Sequence, residues 1–161
     1  MVDKNWSNTP VYRNRKYENL VERLCTKKND FSGRSIFETN KDLMIFGAML
    51  GYSKSKREKL EKHPVQIFMS VYQNDEKDGY IYLLGLLEKE DVKILKDENL
   101  SSAIDLYQEY CNGGLSIIKS WLDDHPEDID GTDTLHDQIF KQISAISSSN
   151  MQRGKLAGVE F

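Results

Sequence analysis

Two cysteines, Cys25 and Cys111, are all that the sequence holds, and no Cys-x-x-Cys spacing links them. In a reducing compartment such residues read as small buried apolar side chains. A disulfide or a nucleophilic role is the lesser alternative, because neither cysteine has a sequence neighbour that would activate a thiolate. Long apolar runs are missing as well. The longest, Leu43–Leu50, falls far short of the roughly 20 residues that a membrane span needs. The opening MVDKNWSNTP has no apolar signal-peptide core. The expectation is a cytoplasmic protein without membrane contact. Phosphate-cradling GxxxxGK[ST], dinucleotide-binding GxGxxG and the GxSxG elbow are also absent. His63, His125 and His136 form no HxxxH, HExxH or Cys/His pattern of the kind that holds zinc. No cofactor is expected, and nothing in the sequence speaks positively for an enzyme.

What is present fits one globular domain. The chain has 161 residues, 39% of them hydrophobic and 30% charged, enough to bury a core without staples. Its net charge of −4 is unevenly spread: 14 basic and 8 acidic residues up to Lys62, then 8 basic and 18 acidic. Such asymmetry marks a basic binding face in the first part. The overall acidity argues against a free-standing, non-specific DNA binder, which needs many phosphate contacts.

Hydrophobic periodicity predicts an all-α bundle of six or seven helices. Residues 1–12 read as loose, 13–147 as one helical domain and 148–161 as a flexible tail. A first helix is expected over Asn14–Lys27, since Tyr17, Leu20, Val21 and Leu24 share one stripe. Thr39 and Asp42 resemble a capping box opening a second helix. This helix is apolar on nearly every side and therefore belongs at the centre, with Gly47 admitting a close neighbour and Gly51 ending it. Pro64 suits the first turn of another helix, although Val65, Ile67, Met69 and Val71 also fit strand alternation. Asp78-Gly79 leaves a β-hairpin over Val71–Leu84 as an alternative to helix. The preferred reading is a helix from Tyr80 to Leu87, with Tyr80, Leu83, Leu84 and Leu87 on its inner face and Val92 and Leu95 buried beyond it. A helix capped by Ser101 or Ser102 is expected to end at Asn112-Gly113-Gly114 in a sharp bend before Leu115–Leu122. The last helix, Thr134–Ser147, should bury Leu135, Ile139, Ile143 and Ile146.

Two stretches carry candidate chemistry. Ser53–Lys62 holds five basic residues against Glu58 and Glu61, read either as a solvated connection or as a surface for phosphate or an acidic partner. Asp123–Asp137 holds seven acidic residues, two histidines and no lysine or arginine. Aligning Gly131 with the glycine of an EF-hand loop puts Pro126 where the first oxygen ligand must be, so calcium is not expected.

The set Phe37, Lys41-Asp42, Phe46, Ala48, Leu50-Gly51-Tyr52 and Arg57, followed by Tyr107-Gln-Glu-Tyr-Cys-Asn-Gly-Gly-Leu115, resembles the small proteins encoded beside bacterial DNA phosphorothioation (dnd) genes, the dnd system-associated protein four family. The resemblance spans roughly residues 10–125 and assigns no catalytic residue. It implies a setting in restriction-modification or antiphage defence based on sulfur-modified DNA. The partners it implies are other proteins of a defence operon. On this basis the expected function is a non-catalytic accessory subunit acting by protein–protein contact. The candidate interface comprises Tyr52, Lys54, Lys56, Arg57 and Lys59 with Asn112, Gly113 and Gly114. One alternative is a DNA-binding subunit using Lys54, Lys56 and Arg57, joined by Arg13, Arg15 and Lys16. Another is a metal-dependent enzyme built on residues 123–137.

Overall fold

The computed structural model describes residues 6–156, and it is mostly α-helical, as the periodicity requires. Its centre is the packing of α2 (Asn40–Ser53) against α5 (Leu100–Asp123). Helix α2 starts as expected: the Thr39 hydroxyl accepts from the Asp42 backbone N–H and donates to the Asp42 carboxylate. Buried Leu43, Met44, Ile45, Ala48 and Leu50 then fill the middle of the domain. Gly51 does not end the helix, which runs on through Ser53.

Helix α5 is one unbroken rod of 24 residues. Leu100, Ala103, Ile104, Tyr107, Cys111, Leu115, Ile118 and Leu122 keep helical spacing along its buried side. The bend expected at Asn112-Gly113-Gly114 is therefore absent. Two glycines inside a helix each cost about 1 kcal/mol relative to alanine, and here the cost is offset by the contacts that only glycine permits.

Around this pair, the first helical segment follows the predicted stripe. A 3-10 turn (Arg15–Tyr17), α1 (Glu18–Val21) and a π turn (Glu22–Thr26) bury Tyr17, Leu20, Val21 and Leu24. The strand pairing lies elsewhere than expected. Residues 71–84 contain no hairpin; instead β1 (Pro10–Arg13) pairs antiparallel with β2 (Val65–Phe68), setting Val11 opposite Ile67. Alternation wins over helical spacing at Val65–Phe68 because β1 offers a partner edge there, and α3 (Met69–Gln73) begins immediately after. Residues 10–12, grouped by sequence with a loose N-terminus, thus belong to the sheet, and Val11 is fully buried.

Two apolar faces turn out differently from their predicted orientation. Helix α4 (Gly79–Lys89) packs through Ile81, Leu84 and Gly85, leaving Tyr80, Leu83 and Leu87 over 40% exposed. A 3-10 turn (Val92–Leu95) then buries Ile94 rather than Val92 and Leu95. Helix α6 (Thr132–Leu156) continues well past Ser147 and buries Leu135, but Ile139, Ile143 and Ile146 are exposed. Periodicity identifies an amphipathic helix; the space left on the core decides which residues it covers. No helix among the described residues is long and apolar enough to cross a membrane.

Candidate functional site

The two stretches that carry the family resemblance meet. The basic segment after α2 folds back over the middle of α5, bounded by Ser55 and His63, both in the left-handed region at φ 51° and 58°. Three glycines permit the close approaches here, Gly113 to the segment itself and Gly51 and Gly114 between α2 and α5. A Cβ on Gly51 would lie 2.0 Å from the Tyr110 carbonyl oxygen, one on Gly113 2.0 Å from the Lys56 carbonyl oxygen, and one on Gly114 1.8 Å from the Gly47 carbonyl oxygen. No side chain fits at any of them. The backbones meet at distances where Cα–H groups contact carbonyl oxygens.

Asn14, wholly buried, binds the crossing together. Its side-chain amide donates to Glu58 Oε1 (2.9 Å) and to the Lys59 carbonyl (3.0 Å), and its Oδ1 accepts from the Glu61 N–H (2.8 Å). Its own backbone N–H donates to Asn112 Oδ1 at 2.8 Å. The Glu58 N–H donates to the Glu109 carbonyl (2.9 Å), and the Tyr17 hydroxyl donates to Glu58 Oε2 (2.8 Å). Burial works to raise the Glu58 carboxyl, but hydrogen bonds from Lys16, Tyr17 and Asn14 outweigh it and hold the group below its usual range. One position earlier on α5, Gln108 Oε1 accepts from the Tyr12 N–H at 2.7 Å, tying β1 to the same helix.

Arg57 sits on the outer side of this crossing. Its guanidinium bonds Glu109 Oε2 (Nε, 2.8 Å) and approaches Glu88 Oε1 of α4 (3.3 Å) while lying over the Tyr110 ring. Tyr110 donates its hydroxyl to Glu88 Oε2 at 2.7 Å, and its ring meets Tyr52 edge-on at 5.5 Å. Burial and the Glu88 bond together push the Tyr110 phenol up to about 12. Tyr52, Arg57, Glu88, Glu109 and Tyr110 thus form one polar–aromatic cluster joining α2, the loop, α4 and α5.

The candidate residues consequently divide. Asn112, Gly113 and Gly114 are buried, and as placed they present no surface to a partner. Asn112 uses its Oδ1 on Asn14, while its Nδ2 is buried without a hydrogen-bond partner among the described residues. Tyr52 and Arg57 are brought together. Lys54 points away toward α6, where Nζ donates to Gln142 Oε1. Lys56 and Lys59 are exposed, and neither they nor Lys62 form an ion pair among the described residues. Of the cations considered for phosphate contact, Arg13 is fully buried and bonds Glu18, so it cannot reach a phosphate. Arg15 donates to the His63 carbonyl, and Lys16 lies between Glu58 and Glu61. Asn14 and Glu88 were not singled out by sequence, and Glu58 and Gln108 entered only as members of longer stretches, because nothing local separates an asparagine that knots three segments from one in a solvated turn.

The acidic segment is also used internally. Asp128 accepts from the Gly131 and Thr134 N–H groups, and Asp130 accepts from the Thr132 N–H and from Asn29. These bonds satisfy the free amides that open α6. Among the described residues, no group of three or more His, Cys, Asp or Glu side chains is placed to hold a metal ion.

Among known families, the one described as DNA sulphur modification system-associated protein 4 matches residues 11–153. No curated protein and no solved structure matches the chain.

Proposed function

Because this chain belongs to the DNA sulphur modification system-associated protein 4 family, we propose that it serves such a system as a non-catalytic accessory subunit, acting by contact with the system's other proteins. Membership itself associates the chain with DNA sulphur modification; the mode of action is our reading. The observation that carries it is the exposed apolar face of α4 and the following 3-10 turn. Tyr80, Leu83, Leu87, Val92 and Leu95 are 42%, 44%, 43%, 71% and 43% exposed, and clustered apolar exposure of this kind marks interaction surfaces. The basic loop adjoins α4 through the Arg57–Glu88 contact, so Lys56 and Lys59 can form a charged rim beside the apolar face. In this reading Tyr52, Arg57, Asn112, Gly113 and Gly114 hold the loop rigid, and the partner presents an apolar patch with acidic edges.

A pull-down from native cells at moderate salt, with and without nuclease, tests the proposal. Proteins of the modification system should be recovered despite nuclease. Leu83→Glu with Leu87→Glu should abolish their recovery while leaving the melting temperature nearly unchanged, since both side chains are already partly in water. Retained capture by that variant would refute the assigned surface.

A second reading, DNA binding by the loop, is favoured by the exposure of Lys56, Lys59 and Lys62. It requires binding that falls steeply with salt and that weakens on all sequences alike when Lys56 and Arg57 are replaced. Partner recovery that is lost on nuclease treatment would select this reading over the first.

A further inference from the structure

We infer that α6 pairs side by side and antiparallel with α6 of a second copy of this chain. Ile139, Ile143 and Ile146 follow one another at spacings of four and three, the seam of a two-helix coil, and Asn150 continues it. All three isoleucines face solvent, at 39%, 58% and 61% exposure. They form one wall of an open apolar groove of about 360 Å³ whose other wall is Phe46, Met49 and Trp121. Helix α6 runs for 25 residues, but the side chains of residues 143–153 are all exposed. That exposed half contains Ser147, Ser148, Ser149 and Asn150, a run of poor helix formers. A helix of such composition is marginal in water without a packed face, and its own domain covers that half only along the open groove beside Phe46, Met49 and Trp121.

Charge selects a second α6 as the occupant and sets its direction. The start of α6 carries Asp133 and Asp137, and its far end carries Arg153. A parallel pair would set like charges against each other. An antiparallel pair that places Ile143 of each copy against Ile146 of the second copy sets Ile139 against Asn150 of the second copy. The same register brings Arg153 of the second copy opposite His136, within one turn of both Asp133 and Asp137. The contact is self-complementary, as a two-fold interface requires. The surface is separate from α4, so the accessory role and this pairing stand or fall independently.

Sedimentation velocity on the full chain over a concentration series tests the pairing. A dimer that dissociates on dilution is expected. Ile143→Glu with Ile146→Glu should leave a folded monomer at every concentration. Asp137→Arg should weaken self-association by roughly threefold to tenfold, the worth of two surface ion pairs turned repulsive, and adding Arg153→Asp should restore it. A wild-type chain that stays monomeric throughout overturns the inference, as does a dimer indifferent to the isoleucine substitutions. A dimer weakened by the isoleucine changes but unmoved by the charge exchange overturns the antiparallel arrangement.

Discussion

Gly114 and Gly79 are the same residue type under opposite demands. A Cβ on Gly114 would lie 1.8 Å from a carbonyl oxygen of α2, whereas one on Gly79 would meet nothing within 4 Å. Gly114→Ala should therefore force α2 and α5 apart and cost about 3 kcal/mol or more, at the upper end of overpacking effects. Gly79→Ala should be neutral or slightly stabilising through helix propensity. Urea unfolding of both variants checks the contrast, and equal midpoints would mean that the close crossing contributes little. At this scale Gly47 was legible, because a glycine inside an apolar helix points to a close neighbour. Gly113 and Gly114 were misread because glycine that relaxes a chain and glycine that admits another backbone look alike in sequence. Cys111 follows the sequence reading of a buried apolar side chain, and Cys25, half-buried, follows it only in part. Burial pushes the thiol of Cys111 up to about 12 and that of half-buried Cys25 up to about 11, leaving little thiolate at neutral pH.

One carboxylate helps to hold the loop between α2 and β2 on its course. Glu58 accepts from Asn14 and Tyr17 and pairs with Lys16, and its carboxyl titrates below the usual range. A carboxyl lowered on folding contributes stability that is present above its unfolded value, about 4.3 for glutamate, and lost as pH falls through the folded value. Glu58→Gln should thus be less stable than the wild type at neutral pH by about 1–2 kcal/mol, the worth of hydrogen bonds to a charged group. The gap should narrow as pH falls below about 4.3. Thermal melts of both proteins from pH 7 downward measure this, and a pH-independent gap would place the cost in packing rather than charge. Among the elements, the Thr39 cap and the stripe of α1 were readable because each is satisfied within a few residues. The β1–β2 pair was not, since its strands lie more than fifty residues apart in sequence and neither is distinctive alone.

For the whole molecule, the buried α2–α5 crossing should be the last part to open and the far half of α6 the first. Native-state hydrogen exchange should show α2 and the middle of α5 exchanging only through global unfolding, while amides of residues 144–153 exchange far sooner. Protection of the α6 amides that rises with protein concentration would accompany the pairing inferred above; protection at high dilution would mean that the domain itself supports this helix. By itself the sequence determined the helical class, the central place of α2, the cap at Thr39 and the inward side of α1. These depend on periodicity and on contacts within a turn or two, which a linear chain records. Only the tertiary structure decided that Asn112-Gly113-Gly114 is a crossing point rather than a bend, and that Asn14 and Glu58 lock the basic loop. It alone decided which apolar faces of α4 and α6 remain outside. Those outcomes depend on how much room each helix leaves its neighbours, and that is a property of the packed whole.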